Sequence, residues 1–175
     1  MYAQSERPTS SYSLFSRAVQ YALSAGVNNR ALSEGSASLG IGSSSSARGA
    51  FASGVFANAA AEGASSLGGG TDATGVLSAA LGTYTRASGV SSMATNVGSE
   101  ATSDASFAAN LLTKASGIAS SSFGRQTVAS GDYANAFGER SVATGRSSMV
   151  SGENNRANGR ASVAGGIRSV AQGAG

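Results

Sequence analysis

The chain has no cysteine and no histidine, only one proline, and few aromatic or charged residues. Without Cys or His, disulfides, thiol nucleophiles, imidazole bases and the usual zinc ligands are all excluded, and most hydrolase chemistries with them. Charged residues make up 12% and aromatics 6% of the 175 residues, against about 25% charged in an ordinary soluble domain. So few large apolar side chains argue against a thick conventional core. The net charge is +3, and the basic residues are spread along the chain instead of forming the dense stripe that nucleic acid prefers. No stretch approaches the roughly 20 apolar residues of a membrane span, and MYAQSERPTSSYSLFS carries Glu6, Arg7 and Pro8 where a secretory signal needs an unbroken apolar run. The expectation is a product made in the cytoplasm, with no nucleic-acid partner and no membrane insertion.

What is abundant is glycine, with 25 residues, and it is periodic. Stepping by seven from Gly26 to Gly173 visits 22 positions, of which 16 are Gly and the rest are Ser33, Ala47, Ala61, Asn96, Ser103 and Asn110. Two residues earlier, Ala or Ser occupies 21 of 22 positions, with Val150 the exception. Two earlier again, all 22 are Ala, Ser, Thr or Asn. A seven-residue beat suits a coiled coil, but glycine is among the poorest helix formers, and small residues at i, i+2 and i+4 have the period of a strand face. Each heptad therefore reads as a strand of about five residues with a small, small, Gly inward face and a corner near the glycine. In the cleanest part of the repeat, these corners fall at Gly117, Gly124, Gly131, Gly138, Gly145, Gly152 and Gly159.

Outward positions separate two kinds of heptad, so the repeat is 14 residues. Stepping by 14 from Leu23 and from Ala25 gives two columns without a charge, which contain Leu39, Phe51, Leu67, Leu81, Met93, Phe107, Phe123, Phe137 and Met149. The alternate strand, stepped from Arg30, carries six charges in eleven positions and faces water; Val128 and Val142 are its odd members. An interior of Ala, Ser and Gly buries little apolar area, so a lone stack of coils is marginal and the apolar stripe is the natural meeting place for identical chains. The nine residues are expected to form the seam of a homo-oligomer, and the narrow coil suggests three chains. The fold expected is an all-β parallel roll of about eleven coils, roughly 50 Å long at the ~4.8 Å strand spacing.

The segments TVASG (127–131), SVATG (141–145), SVAGG (162–166) and SVAQG (169–173), interleaved with ANAFG (134–138), resemble the head repeats of YadA-type trimeric autotransporter adhesins. The resemblance covers Gly26 to Gly173. It implies a homotrimeric, left-handed parallel β-roll. Head-like repeats of this kind also occur in fibres and appendages of tailed bacteriophages. The sequence shows no stalk heptads and no anchor, so the phage setting is the expectation: a virion structural protein without enzymatic activity, made in the host cytoplasm, with a host surface receptor or glycan as a further partner. The alternative is an adhesin head on a bacterial surface.

Residues 1–21 do not follow the beat and are read as a docking or capping segment preceding a repeat domain over 22–175. Leu14, Phe15, Ala18, Val19 and Ala22 fall at helical spacing after a Ser-rich run able to cap a helix. A short helix or irregular segment is expected there, docking on other virion proteins through Leu14, Phe15, Val19 and Tyr21.

No cofactor or metal is expected. GGGTDATG (68–75) loosely resembles a calcium turn but occurs once, and reads as a Gly-rich corner. No phosphate-binding glycine motif is present. Asp72, Asp104, Asp132, Glu139 and Glu153 sit at corners or polar faces. As paired acids they would suit glycan hydrolysis, but solvated surface charge is the expectation. The echo of VNNRA (27–31) in ENNRA (153–157) suggests asparagine ladders from Asn28, Asn29, Asn154 and Asn155. Ice binding, the remaining rival, wants a flat Thr-rich face, and here Arg, Asp, Glu and Lys break it.

Overall fold

The computed structural model describes residues 10–12, 15–19 and 21–173. From Leu23 onward each 14-residue coil contributes one five-residue strand and one two-residue strand, as in β3 (Leu23–Val27) and β4 (Arg30–Ala31). Strands of each kind stack into their own parallel sheet of twelve. Each pairs with the strand one coil later at an offset of 14, as in Leu23↔Ala37 and Arg30↔Ser44. The protein is an all-β parallel solenoid, and the expected coil length holds.

The inward face is also as the repeat predicts. Ala50, Ala52, Ala57 and Ala59 of one coil, and Ser36, Ser38, Ser43 and Ser45 of the coil before it, are all buried. Most Cβ atoms of the interior belong to Ala, Ser and Thr, which brings the two sheets close together. Some hydroxyls in this lumen bind backbone, while those of Ser24, Ser45, Ser78, Thr85 and Ser148 have no partner in the single chain. Ser43, Ser99 and Ser141 each donate to the carbonyl oxygen eleven residues on, at 2.9, 2.8 and 3.0 Å.

The corners differ from the expectation. All 22 residues reached by stepping seven from Tyr21 to Arg168 have φ between 51° and 67°. The left-handed corner of each heptad thus lies two residues after the glycine beat, and 16 of its occupants are not glycine. No Val, Ile or Thr appears in this column, as expected where a branched Cβ is least tolerated. The glycine beat serves another purpose. Gly124, Gly138 and Gly152 lie inside the five-residue strands Ser121–Arg125, Asn135–Glu139 and Met149–Glu153, not at corners. Gly117, Gly131, Gly145 and Gly159 lie in the bends after the short strands. At both kinds of site a Cβ would collide with the backbone carbonyl of the next coil. Close coil stacking is thus common to the whole beat; its in-strand glycines also hold φ of 106° to 122° at Gly124, Gly138 and Gly152, which favours glycine. Asn96 and Asn110 replace two of the in-strand glycines, and the Asn96 amide donates to Asn110 Oδ1 at 2.8 Å.

No helix forms among the described residues of the N-terminal segment. Instead β1 (Ser10–Tyr12) and β2 (Arg17–Ala18) pair in parallel with β3 and β4. Their offset is 13, not 14: Ser10↔Leu23 and Arg17↔Arg30. Phe15 is left-handed 13 residues before Asn28, whereas Tyr21 is so 14 before Gly35. One residue is therefore missing from the corner after β2. That single deletion takes this coil out of phase with the beat.

Candidate interaction surface

The five-residue strands turn their first, third and fifth residues outward. All nine expected seam residues stand on this face, in the first column (Phe51, Met93, Phe107, Met149) or the third (Leu39, Leu67, Leu81, Phe123, Phe137). Phe107 and Phe123 meet edge to face at 4.9 Å between ring centres, and Phe123 and Phe137 stack at 5.4 Å.

A regularity emerges when the two columns are read together. Each of the eleven coils from Leu23 onward carries one bulky apolar residue at the first or third position and a small or short polar one at the other. The bulky residue comes first in Leu23/Ala25, Phe51/Ser53, Met93/Thr95, Phe107/Ala109, Met149/Ser151 and Val163/Gly165. It comes third in Ala37/Leu39, Ser65/Leu67, Ala79/Leu81, Ser121/Phe123 and Asn135/Phe137. The position of the bulky residue thus varies from coil to coil between the first and third columns. Leu23 and Val163 complete the set of nine at its two ends. In the single chain, Met93, Met149 and Phe137 remain 41%, 41% and 37% exposed.

The fifth column was not singled out by sequence reasoning, although one more step of the period-two pattern, to the residue after the in-strand glycine, reaches it. Val27, Ile41, Val55, Val97 and Leu111 are exposed there. Arg125, Glu139 and Glu153 then replace them, with an ion pair between Arg125 and Glu139. Beside it, on the left-handed corner, bulky residues lie over glycines of the preceding coil: Phe56 over Gly42, Tyr84 over Gly70, Leu112 over Gly98. A Cβ on Gly42 would stand 2.7 Å from the Phe56 ring.

The short-strand sheet is polar on its outer face. Asp72 pairs with Arg86 at 3.9 Å and Glu100 with Lys114 at 3.3 Å, so charges alternate from coil to coil. Asn58 donates to Asp72 at 2.7 Å. Val128 and Val142 are neighbours in register in this sheet, each half-buried. Val128 borders a shallow depression with Leu112, Lys114 and Gln126. On the opposite corner Glu62 pairs with Arg48, and its hydrogen bond and charge raise the pKa of that exposed guanidinium.

The candidate acids are dispersed. Asp104 accepts from the Val90 amide at 2.9 Å and Asp132 from the Ile118 amide at 3.0 Å. Glu139 pairs with Arg125 and Arg140, and Glu153 accepts from Asn154 at 3.1 Å. In GGGTDATG, Gly68 lies in a strand and Asp72 in the charged ladder. Among the described residues no group of three metal-ligating side chains converges. Asn29 and Asn155 are buried and bond to backbone instead of forming ladders with each other's neighbours.

Of the expected docking residues, Leu14 lies outside the described residues. Phe15 is 83% exposed, Tyr21 is exposed and Val19 half-buried, on the first corners of the solenoid. Val19 bonds through its amide to Ala31.

The molecule is thus a parallel β-solenoid whose two sheets present one largely apolar face and one polar, partly charged face. Searches with the sequence found no matching protein-family model and no matching curated protein.

Proposed function

We propose that the chain is a structural, non-enzymatic component of a bacteriophage virion, a homotrimeric rod serving as a fibre or decoration and contributing to host attachment. The observation that carries this reading is the single bulky apolar residue per coil on the long-strand face, which suits association of identical rods along a common axis. The solenoid also runs through the described chain from Ser10 to Ala171, so that what this chain contributes to an assembly is length and surface. The repeats TVASG, SVATG and ANAFG resemble those of YadA-type heads, whose rolls are trimeric and left-handed, and we assign this chain the same handedness. In this proposal the first corners, at Phe15, Val19 and Tyr21, meet other virion proteins.

The same resemblance favours a second setting, the head of a bacterial trimeric autotransporter adhesin on a cell surface. Mass spectrometry of purified virions from a lysate, with the genes flanking the coding sequence, separates the two. Peptides of this chain in the particle support the first setting; an adjoining outer-membrane anchor gene product on the cell surface supports the second. Native mass spectrometry tests the rod itself. A trimer of the 17.0 kDa chain is expected, and a monomer would overturn the oligomer and with it the seam.

A further inference from the structure

The short-strand sheet and its two corners change character along the rod. In the earlier coils acids and bases on this side meet one coil apart, Arg48 with Glu62, Asp72 with Arg86 and Glu100 with Lys114. Asp132 is the last acid there, since Glu139 and Glu153 belong to the long strands. From Arg17 to Glu139 the chain carries six cations and seven acids; from Arg140 to Ala171 it carries five arginines and one acid, Glu153. The positive net charge therefore comes from the last coils.

The five arginines form an arc on that side. Arg140 and Arg168 occupy left-handed corners. Arg156 stands in register between Val142 and Val170, and Arg146 and Arg160 precede the opposite corners at Ser147 and Ala161. All five are exposed. Arg140 has Glu139 at 3.6 Å, an acid it shares with Arg125; among the described residues none of the other four arginines has an ion pair. Arg146 and Arg160 sit one coil apart, about 4.8 Å along the rod, in the column where Arg48 meets Glu62. Like charges so placed repel, and a bound anion removes that cost.

Resting on the virion reading above, which sets the first corners against other virion proteins and these coils away from them, we infer that the arc binds an acidic polysaccharide of the host surface through its carboxylate, sulfate or phosphate groups. A planar guanidinium bonds such groups with two parallel N–H donors. Asn158, exposed and two residues from both Arg156 and Arg160, accepts the Thr144 hydroxyl on its Oδ1 at 3.0 Å and keeps its amide donors for sugar hydroxyls. Duplex DNA, with a charge every ~1.7 Å, prefers a denser stripe than one arginine per coil. A single strand needs aromatic platforms; of the two rings beyond Arg125, Phe137 is on a long strand and Tyr133 lies under Arg146 at 5.8 Å. The arc faces away from the proposed seam, so a trimer offers three copies of it to one polymer.

The test titrates dextran sulfate against the full chain at about 0.15 M salt, with uncharged dextran as the blank. Binding to dextran sulfate alone is expected. Arg156→Gln, Arg160→Gln and Arg168→Gln together should weaken it by about tenfold or more, because clustered charges raise the local ligand concentration by at least that factor. Arg17→Gln, Arg30→Gln and Arg86→Gln together remove the same charge from earlier coils. They should weaken binding by less than about threefold, since charges beyond the ~8 Å screening length contribute little. Circular dichroism and native mass of both variants should match those of the parent chain. Equal losses in the two variants, no binding by the parent, or tighter binding of duplex DNA than of dextran sulfate at equal charge would overturn the site. A site that holds in a chain absent from purified virions leaves the arc standing and removes the virion reading; a chain present in virions that ignores dextran sulfate does the reverse.

Discussion

Asn29 and Asn155 lie 126 residues apart, nine coils of 14, and make the same three hydrogen bonds. The Asn29 amide donates to Ala25 O at 2.6 Å and Gly40 O at 2.7 Å, and its Oδ1 accepts from Ser43 N at 2.9 Å. The Asn155 amide donates to Ser151 O at 2.6 Å and Gly166 O at 2.7 Å, and its Oδ1 accepts from Ser169 N at 2.8 Å. Each side chain ties its own coil to the next through backbone groups inside the lumen. The VNNRA and ENNRA echo is therefore two copies of one device, placed near the two ends of the described solenoid.

Asn155→Ala should destabilise the chain by about 1–3 kcal/mol, because it leaves the partly buried Ser169 amide and two carbonyls short of partners. Asn155→Ser should cost less, since Ser43, Ser99 and Ser141 hold the corresponding carbonyl from the same column. Hydrogen exchange resolved by residue should show the loss confined to the last coils, because coils in a solenoid contact only their neighbours.

Gly138→Ala should be far worse than Gly49→Ala. At Gly138 the φ is 106° and a Cβ would collide with the Gly152 carbonyl, whereas at Gly49 the φ is 66° and nothing lies within 4 Å of the added atom. Gly49→Ala should cost about 1–2 kcal/mol, the strain of a left-handed residue alone. Gly138→Ala should cost more than about 3 kcal/mol or break the stack locally. Urea unfolding of the two variants side by side checks the ranking.

Ala161→Gly should stabilise the protein by roughly 1 kcal/mol, even though glycine normally loosens a chain. Ala161 is exposed with a φ of 53°, and relief of left-handed strain outweighs the entropy gained by the unfolded state. The same sign is expected for Ala105→Gly, at φ 54°. A rise in the thermal midpoint of either variant is the readout.

Phe123→Asp should reduce assembly strongly while leaving the coil fold in place. The ring stands outside the lumen between Phe107 and Phe137, so the single chain loses two ring contacts, and the proposed seam gains buried charges. Native mass spectrometry should show monomer in place of trimer with the far-ultraviolet circular dichroism unchanged. Trimers as abundant as those of the parent chain would remove Phe123 from the seam.

Much of the fold was legible because a solenoid repeats a local rule. Ala52, Ala59 and their equivalents could be placed inside from spacing alone, since period-two alternation sends every second side chain to one face. The apolar face was legible for the same reason, through columns containing Phe51, Phe123 and Phe137. Gly117, Gly131, Gly145 and Gly159 do lie in bends, but Gly124, Gly138 and Gly152 were wrongly read as corners, because their beat is set by contact with the next coil, as of Gly138 with Gly152, information that lies between coils. The left-handed column left a fainter signal, the absence of Val, Ile and Thr from Tyr21 to Arg168. The first coil was missed because one deleted residue after Ala18 breaks a search that allows none.

The sequence by itself determined the coil length, the contents of the lumen and the segregation of apolar from charged faces, because these follow from which residues recur at which spacing. The tertiary structure alone decided where the chain turns, why the glycines are needed, and how Asn29 and Asn155 bridge coils. The glycine contacts and the asparagine bridges depend on distances between residues 11 to 14 apart in sequence, which become neighbours only when one coil is laid upon the next.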